Sequence, residues 1–253
     1  MMQDKVVLTI AGADSSGGAG IQADLKVFAE LGCRGESAVT ALTLQDAGHF
    51  QLLNPLPAFH LRCQLERMEN LQFDGIKIGM LATAENVEVV CDFLQRRRPH
   101  WVILDPVFRS STGASLLDER GMLLLSDELL PLVDAVTPNL DEAAFLIGSP
   151  VTHIEAMKKC ALMIWRGFDK EGGRKKFVVI KGGHLPSSNS PTDIFFDGTT
   201  MQEITGPRIP GGPFHGTGCR FSAALLAQLV QGEAPLTAVT KAKEYLTSTL
   251  STG

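Results

Sequence analysis

The chain has 253 residues, 44% of them hydrophobic and 20% charged, with a formal net charge of -5. That apolar content is too high for a disordered chain, no run of about 20 apolar residues is present to span a bilayer, and an isoelectric point near 5.7 speaks against a nucleic-acid partner, whose binders carry a basic face. The five cysteines, Cys33, Cys63, Cys91, Cys160 and Cys219, are scattered without a Cys-x-x-Cys pair, which argues against a disulfide framework or a zinc cluster and for a reducing cytoplasm.

In chain order, Met1-Met2-Gln3-Asp4-Lys5 leads into an apolar stretch without a cleavage-like site, so no export signal is expected. Residues 6–10 (VVLTI) form a compact β-type run. A glycine-rich turn follows, and then residues 21–31 place Ile21, Leu25, Phe28 and Ala29 at helical spacing. Residues 37–44 (SAVTALTL) are rich in β-branched side chains and read as a second strand. Pro57 opens a helix that runs to about Leu71, proline being suited to a first helical turn. Residues 76–78 and 101–104 are strands, with a helix at 84–97 between them. A helix at 119–132, a strand at 135–137 and helices at 139–147 and 155–168 follow, then a strand at 177–180 and a hairpin around 194–196. Helices at 223–230 and 236–250 close the chain.

Strands that are apolar throughout, rather than alternating, belong to parallel sheets covered on both faces. Their regular exchange with helices predicts an α/β layered fold. No repeat or linker divides the chain, whose loop-like patches are residues 171–176 and 185–192, so one domain is expected.

The residues that follow the strands carry the chemistry. After the successive strands come Gly12 and Asp14, Gly79-Met80, Asp105-Pro106, Pro138-Asn139 with Glu142, and Lys181-Gly182-Gly183-His184. Ligands of open parallel sheets bind at the carboxyl ends of the strands. One rim therefore receives carboxylates, an amide, a lysine and several glycines, a set suited to phosphate and a metal ion. His215-Gly216-Thr217-Gly218-Cys219 precedes an apolar helix, and backbone N–H groups of a glycine turn at a helix N-terminus form an anion hole. Cys219 would sit in the first turn, where the helix field favours a thiolate. Such a set fits phosphoryl transfer, which needs positioning and charge neutralisation more than covalent chemistry.

Other motifs are weaker. The turn Asp14-Ser15-Ser16-Gly17-Gly18-Ala19-Gly20 lacks the Gly-Lys-Ser/Thr ending of a P-loop, and residues 18–23 match GxGxxA too far beyond the strand for a tight dinucleotide turn. Close backbone approach to a small substrate explains these glycines better. Asn139 and Glu142 have the spacing of a helix capping box, and equally of groups holding Mg²⁺ through water. Arg96-Arg97-Arg98 ends a helix and Lys175-Lys176 sit at the opposite rim, so neither is assigned to a site. The six histidines show no metal-ligand spacing.

Five motifs occur in order over nearly the whole chain: residues 17–26 (GGAGIQADLK), 77–81 (KIGML), 137–140 (TPNL), 181–184 (KGGH) and 215–219 (HGTGC). Together they resemble the hydroxymethylpyrimidine/phosphomethylpyrimidine kinases of thiamine biosynthesis, in the vitamin-kinase branch of the ribokinase-like superfamily. The resemblance implies a three-layer α/β/α fold with a central, mainly parallel sheet, and the use of ATP with Mg²⁺. The γ-phosphoryl group would pass to the hydroxymethyl group of 4-amino-5-hydroxymethyl-2-methylpyrimidine, and a second transfer would make the diphosphate. It further implies that Cys219 activates or orients the hydroxyl where related sugar kinases have an aspartate, while Gly216, Thr217, Gly218 and Cys219 hold the transferring phosphoryl. Lys181 would contact the ATP phosphates; Asp105, Asn139 and Glu142 would organise the triphosphate, with Asp105 and Glu142 on the metal. Gln45 would read the pyrimidine edge, since a carboxamide donates and accepts in one plane, and Gly12, Asp24 and Met80 would line the pocket. A homodimer is implied as well.

Several positions depart from the family pattern. The lysine usual in the loop after Asp105-Pro106-Val107 is absent; Ser111 stands there, with Arg109 two positions earlier. Arg220 follows Cys219 where threonine is usual, putting a cation in a first helical turn and hinting at an extra phosphate contact or an altered function. Pro213-Phe214 replaces a polar pair, Asp46 follows Gln45 where asparagine is common, and the usual short tail after the last helix is missing. Two alternatives share the fold: a pyridoxal or pyridoxine kinase, and a catalytically weakened binding or regulatory relative. A dinucleotide-dependent oxidoreductase rests on the GxGxxA match alone.

Overall fold

The computed structural model describes residues 5–45, 50–97, 99–110, 113–168, 174–183, 185, 190–210 and 214–251. Among them, nine strands follow in chain order: β1 (Lys5–Asp14), β2 (Cys33–Gln45), β3 (Phe50–Pro55), β4 (Gly75–Ile78), β5 (Trp101–Leu104), β6 (Ala135–Val136), β7 (Phe177–Ile180), β8 (Thr192–Phe196) and β9 (Met201–Thr205). They join in one sheet ordered β3-β2-β1-β4-β5-β6-β7-β8-β9. The six inner strands from β2 to β7 are parallel, and β3, β8 and β9 are antiparallel at the two edges. The helices are α1 (Gly20–Glu30), α2 (Ala58–Arg67), α3 (Ala84–Arg96), α4 (Glu119–Leu124), α5 (Leu140–Ile147), α6 (Ile154–Phe168), α7 (Thr217–Val230) and α8 (Pro235–Ser251).

The parallel strands are apolar at every position because both of their faces are covered. Val102, Leu104, Val178 and Ile180 pack with α2, α3 and α6. Their neighbours Ile103, Phe177 and Val179 turn the other way, onto α1, α7 and α8. Two apolar layers around one sheet give the expected three-layer α/β/α architecture.

The differences from the sequence reading have local causes. β1 runs four residues past Ile10, its register with β2 shifting between Ala11 and Ala13, so Gly12 sits at an irregularity inside the strand. β3 is an edge strand with one antiparallel neighbour and a terminal proline, and such strands give little periodic signal. Pro57 is the N-cap of α2, outside its first turn. The expected helix at 119–132 is regular over α4 alone; it widens to a π-helical turn at Leu125–Leu129 and tightens to a 3₁₀ turn at Leu130–Leu132 around Pro131. α7 begins at Thr217, inside the glycine turn, with Gly216 left-handed at its N-cap.

At the carboxyl-end half of the face covered by α1 and α7, the apolar layer is interrupted. Lys77 of β4 lies opposite Thr9 of β1. Its Nζ donates to Asp24 of α1 at 2.7 and 3.0 Å, and Thr9 Oγ1 donates to the same carboxylate at 2.6 Å. Both charged side chains are 0% exposed. Deleting one partner leaves an uncompensated buried charge, whereas replacing both by apolar groups does not. Lys77→Met is therefore expected to lower stability by about 3–5 kcal/mol, and Lys77→Met combined with Asp24→Leu by clearly less. Urea unfolding of the three proteins tests this; equal losses in the single and double variants would contradict it.

Candidate functional site

The carboxyl ends of β1, β4, β5, β6 and β7 converge on the N-termini of α1 and α7. Asp105, directly after β5, is 1% exposed. Its Oδ1 accepts from Lys181 Nζ at 2.6 Å and from Thr137 Oγ1 at 3.2 Å, and its Oδ2 accepts from Ser222 Oγ of α7 at 3.2 Å. Burial alone would push this carboxyl up, but Lys181, then Lys77, and the hydrogen bonds hold it below the ordinary carboxylate range. Burial likewise opposes the Lys181 ammonium, and the carboxylates of Asp105 and Glu142 outweigh it and raise Lys181. The backbone N–H of Lys181 donates to Pro138 O at 2.8 Å, tying β7's exit to the start of α5.

Asn139 and Glu142 form a complete capping box at α5: Asn139 Oδ1 accepts from Glu142 N at 2.9 Å, and Glu142 Oε2 accepts from Asn139 N at 2.7 Å. The capping geometry is thus present, and it also aims Glu142 at the ion pair. Burial, with repulsion from Asp105 and Asp141 added, pushes the Glu142 carboxyl up to about 8 against the pull of Lys181.

Two glycine turns form the other wall. Gly216 has φ +74°, and a Cβ there would stand 1.9 Å from Gly18 O. Gly20 has φ +59°, and its Cβ would meet Gly12 O at 2.2 Å. Asp14 organises the first turn, accepting from Ser16 N at 3.0 Å, Ser16 Oγ at 2.9 Å and Ala19 N at 2.9 Å. His215 Nε2 reaches the same carboxylate at 2.9 Å and joins the two turns. Burial would raise Asp14, but the His215 hydrogen bond and the turn's donors leave it below its ordinary value. This pair spans 201 positions of sequence, and no motif spacing shows it. The only available signs are an aspartate ending a strand and a histidine opening a Gly-x-Gly turn.

Gly218 lies over the ion pair: a Cβ there would be 3.1 Å from Lys181 Nζ and 3.5 Å from Asp105 Oδ2. Cys219 follows, half-buried in the first turn of α7. The expected thiolate is not favoured. Burial pushes the thiol up, Asp24 and Asp105 add to that, and Lys77 together with the Gly20 N–H only partly offsets them. Desolvation outweighs the helix field.

Gly12 and Met80 meet, Met80 Cε filling the space above Gly12, beside Ala41, Ala82 and Leu116. Asp24 does not line the pocket; its carboxylate is wholly buried on Lys77 and Thr9 beneath the site. Gln45 ends β2, and its side chain lies outside the described residues, as do Asp46, Ser111, His184 and Pro213. Arg109 is exposed, donating to Gly113 O at 3.3 Å. The charge of Arg220 acts on Tyr245 of α8, whose hydroxyl donates to Glu30 of α1, so the cation has surroundings on the flank of α7.

The chemistry available is that of an anion cradle, made by the Thr217–Cys219 backbone, set against a lysine and two carboxylates. A family model described as phosphomethylpyrimidine kinase matches residues 14–253. The hydroxymethylpyrimidine/phosphomethylpyrimidine kinase of Aquifex aeolicus is 37% identical over 246 residues, which cover 97% of this chain and 94% of that one. Its counterpart in Haemophilus influenzae is 40% identical, covering 99% and 93%. Among solved structures, the pyridoxal kinase of Staphylococcus aureus in complex with AMP-PCP and pyridoxal is similar with a TM-score of 0.89 at 36% identity, covering 99% of this chain and 89% of that one. The phosphomethylpyrimidine kinase of Clostridium difficile gives 0.83 at 32% identity, covering 98% and 100%.

Glu142 makes the site measurable by pH. Its folded value is about 8 against an ordinary 4.5, so the folded protein keeps a proton that the unfolded chain releases. The associated stability is complete below pH 4.5 and is lost as pH rises through about 8. Glu142→Gln keeps a neutral acceptor for the Asn139 N–H and removes this dependence. The variant should match the parent near pH 4.5 and exceed its stability at pH 8 in chemical unfolding. Parallel pH profiles of the two proteins would contradict the assignment.

Proposed function

The chain belongs to the phosphomethylpyrimidine kinase family, and we propose that it transfers the γ-phosphoryl group of ATP to 4-amino-5-hydroxymethyl-2-methylpyrimidine and then to its monophosphate, supplying the pyrimidine half of thiamine. One observation carries the reading: the glycine turn of α7 lies directly on the Lys181–Asp105 pair.

In this reading the N–H groups of Gly216, Thr217, Gly218 and Cys219 hold the transferring phosphoryl at the positive end of α7. Lys181 exchanges part of its contact with Asp105 for the ATP phosphates, and Gly218, having no side chain, lets them approach. The residues present fit Mg²⁺. Asp105 and Glu142 lie close enough that the one raises the other, and Mg²⁺ takes one or two carboxylates and completes its shell with phosphates and water. Asp105 and Glu142 would hold it with Asn139 beside them, and a cation there would bring the raised Glu142 into its ionised form. When bound, Mg²⁺ neutralises charge on the phosphate oxygens.

Cys219 Sγ accepts the hydrogen bond of the substrate hydroxyl and orients its oxygen. As the new O–P bond forms, the bond from the γ-phosphorus to the bridging oxygen breaks and ADP leaves, while Cys219 in its thiolate form, stabilised by Lys77 underneath, takes the hydroxyl proton and becomes a thiol. A loose transition state asks little of the base, so the hydroxyl proton passes late, to the share of Cys219 that Lys77 holds as thiolate. Gln45 reads the pyrimidine edge, and Gly12 and Met80 form the pocket floor.

A second reading is a pyridoxal kinase, favoured by the TM-score of 0.89 to the Staphylococcus aureus enzyme. Residues 1–253 would act as one kinase domain in the cytoplasm. Leu42 and Leu44 of β2, each 48% exposed, and Phe59 of α2, 69% exposed, offer an apolar surface for a homodimer.

Purified protein with Mg-ATP should convert the hydroxymethylpyrimidine to mono- and diphosphate, resolved by anion-exchange chromatography; a strong preference for pyridoxal would decide for the second reading. Cys219→Ala should lower kcat by about 10²–10⁴-fold, the range for removing a general acid–base group, with nucleotide affinity kept. Full turnover in this variant would remove Cys219 from the mechanism.

A further inference from the structure

A second buried ion pair stands behind the phosphate end of the site, on strands and helices that the reaction does not touch. Asp193 of β8 and Lys243 of α8 are both buried, and Lys243 Nζ donates to Asp193 Oδ2 at 2.7 Å. The other oxygen, Oδ1, accepts from the backbone N–H of Gly182 at 2.9 Å. Gly182 follows Lys181 directly. A Cβ on Gly182 would stand 2.0 Å from Thr192 O and 2.9 Å from Met157 Cε, so the backbone at this point is pressed onto β8 and only glycine fits. Gly206 opposes the Lys243 stem in the same way, a Cβ there meeting Cε at 3.0 Å.

We infer that the Lys243–Asp193 pair is a positioning device for the nucleotide-binding loop. It fixes the peptide between Lys181 and Gly182, and through it the direction in which the Lys181 ammonium is presented. The inference rests on the function proposed above, in which Lys181 meets the ATP phosphates. Both peptides that flank Lys181 are held. Lys181 N–H donates to Pro138 O at 2.8 Å, and Gly182 N–H donates to Asp193. With both donors engaged, neither peptide plane can turn without breaking its hydrogen bond. A carboxylate acceptor makes this the stronger, charge-assisted kind, and Lys243 holds the carboxylate in place. An apolar pair of the same volume would serve the core about as well, since buried ion pairs add little net stability. Such a pair would leave the Gly182 N–H without an acceptor. Asp193 and Lys243 are positioning residues: they reach the substrate only through the loop. Because Lys243 stands on the last helix, the pair also couples the end of the fold to the phosphate site.

Two double variants separate position from packing, each without a stranded charge. Asp193→Ala with Lys243→Met removes the acceptor. Asp193→Asn with Lys243→Met keeps a neutral oxygen for the Gly182 N–H. The first should raise the KM for ATP and the Kd for AMP-PCP, measured by calorimetry, by about tenfold, with the KM for the pyrimidine within about twofold. The second should return both nucleotide constants to within about threefold of the parent, although the two variants have similar thermal stability. Parent-like AMP-PCP affinity in the alanine variant, or equal losses in both variants, would overturn the inference. A parent protein that binds no AMP-PCP would instead overturn the function on which it rests.

Discussion

The site exists because two glycine turns pack backbone against backbone. Gly216 approaches Gly18 so closely that a methyl group on Gly216 has no room against the Gly18 carbonyl, and Gly20 stands in the same way against the Gly12 carbonyl. Each contact removes side chains from the interface and leaves peptide groups facing one another, which is what brings the N-termini of α1 and α7 to one place. Asp14 fastens the arrangement: it collects donors from its own turn and one from His215. The parallel sheet supplies the frame, but without this contact the α7 N–H groups would face solvent instead of the Lys181–Asp105 pair.

A second constraint is the charge that this frame encloses. Three lysine–aspartate pairs lie behind the carboxyl edge of the sheet: Lys77–Asp24, Lys181–Asp105 and Lys243–Asp193. Each joins elements far apart in sequence, and none is a strong contributor to net stability. Their effect is on position and potential. Lys77 lies under Cys219 and Asp105, Lys181 stands between Asp105 and Glu142, and Asp105 adds to the rise of Glu142. Two lysines are paired with two aspartates, and Glu142 beside them is pushed up to about 8, chiefly by burial. In the proposed function, a bound cation would favour the ionised form of Glu142, and phosphate alone would oppose it.

The fold was largely legible in the sequence because buried parallel strands are apolar at every position, and residues 101–104 and 177–180 coincide with β5 and β7. What escaped were features set by neighbours: the edge strand β3, the length of β1 past its irregularity at Gly12, and the change of helix type around Pro131. The site divided in the same way. Asp105, Asn139, Glu142, Lys181 and residues 216–219 announced themselves by following strands or opening helices, and the structure brings them together. Asp24 was misplaced because a motif records that a residue matters and not which way it points; its carboxylate turns inward to Lys77. The thiolate expected at Cys219 failed for a related reason, since a helix position is visible in sequence and desolvation is not. The Asp14–His215 and Asp193–Lys243 pairs are contacts between distant segments, beyond any local pattern.

This division bears on how one scaffold can serve more than one ring-bearing alcohol. The phosphate half of the site is built from backbone N–H groups, glycines and ion pairs that are fixed by packing, so it offers little room for variation. In the proposed function the ring half depends on Gly12 and Met80 and on the end of β2, next to an edge strand with one partner. Side chains there can change without disturbing either glycine turn or the Lys181–Asp105 pair. Similarity of fold, which is as high to a pyridoxal kinase as to a phosphomethylpyrimidine kinase, therefore reports on the transferable half. Discrimination between substrates must be sought where β2 ends, in hydrogen bonds to the ring edge, because an unpaired buried polar group is what rejects the wrong ring most sharply.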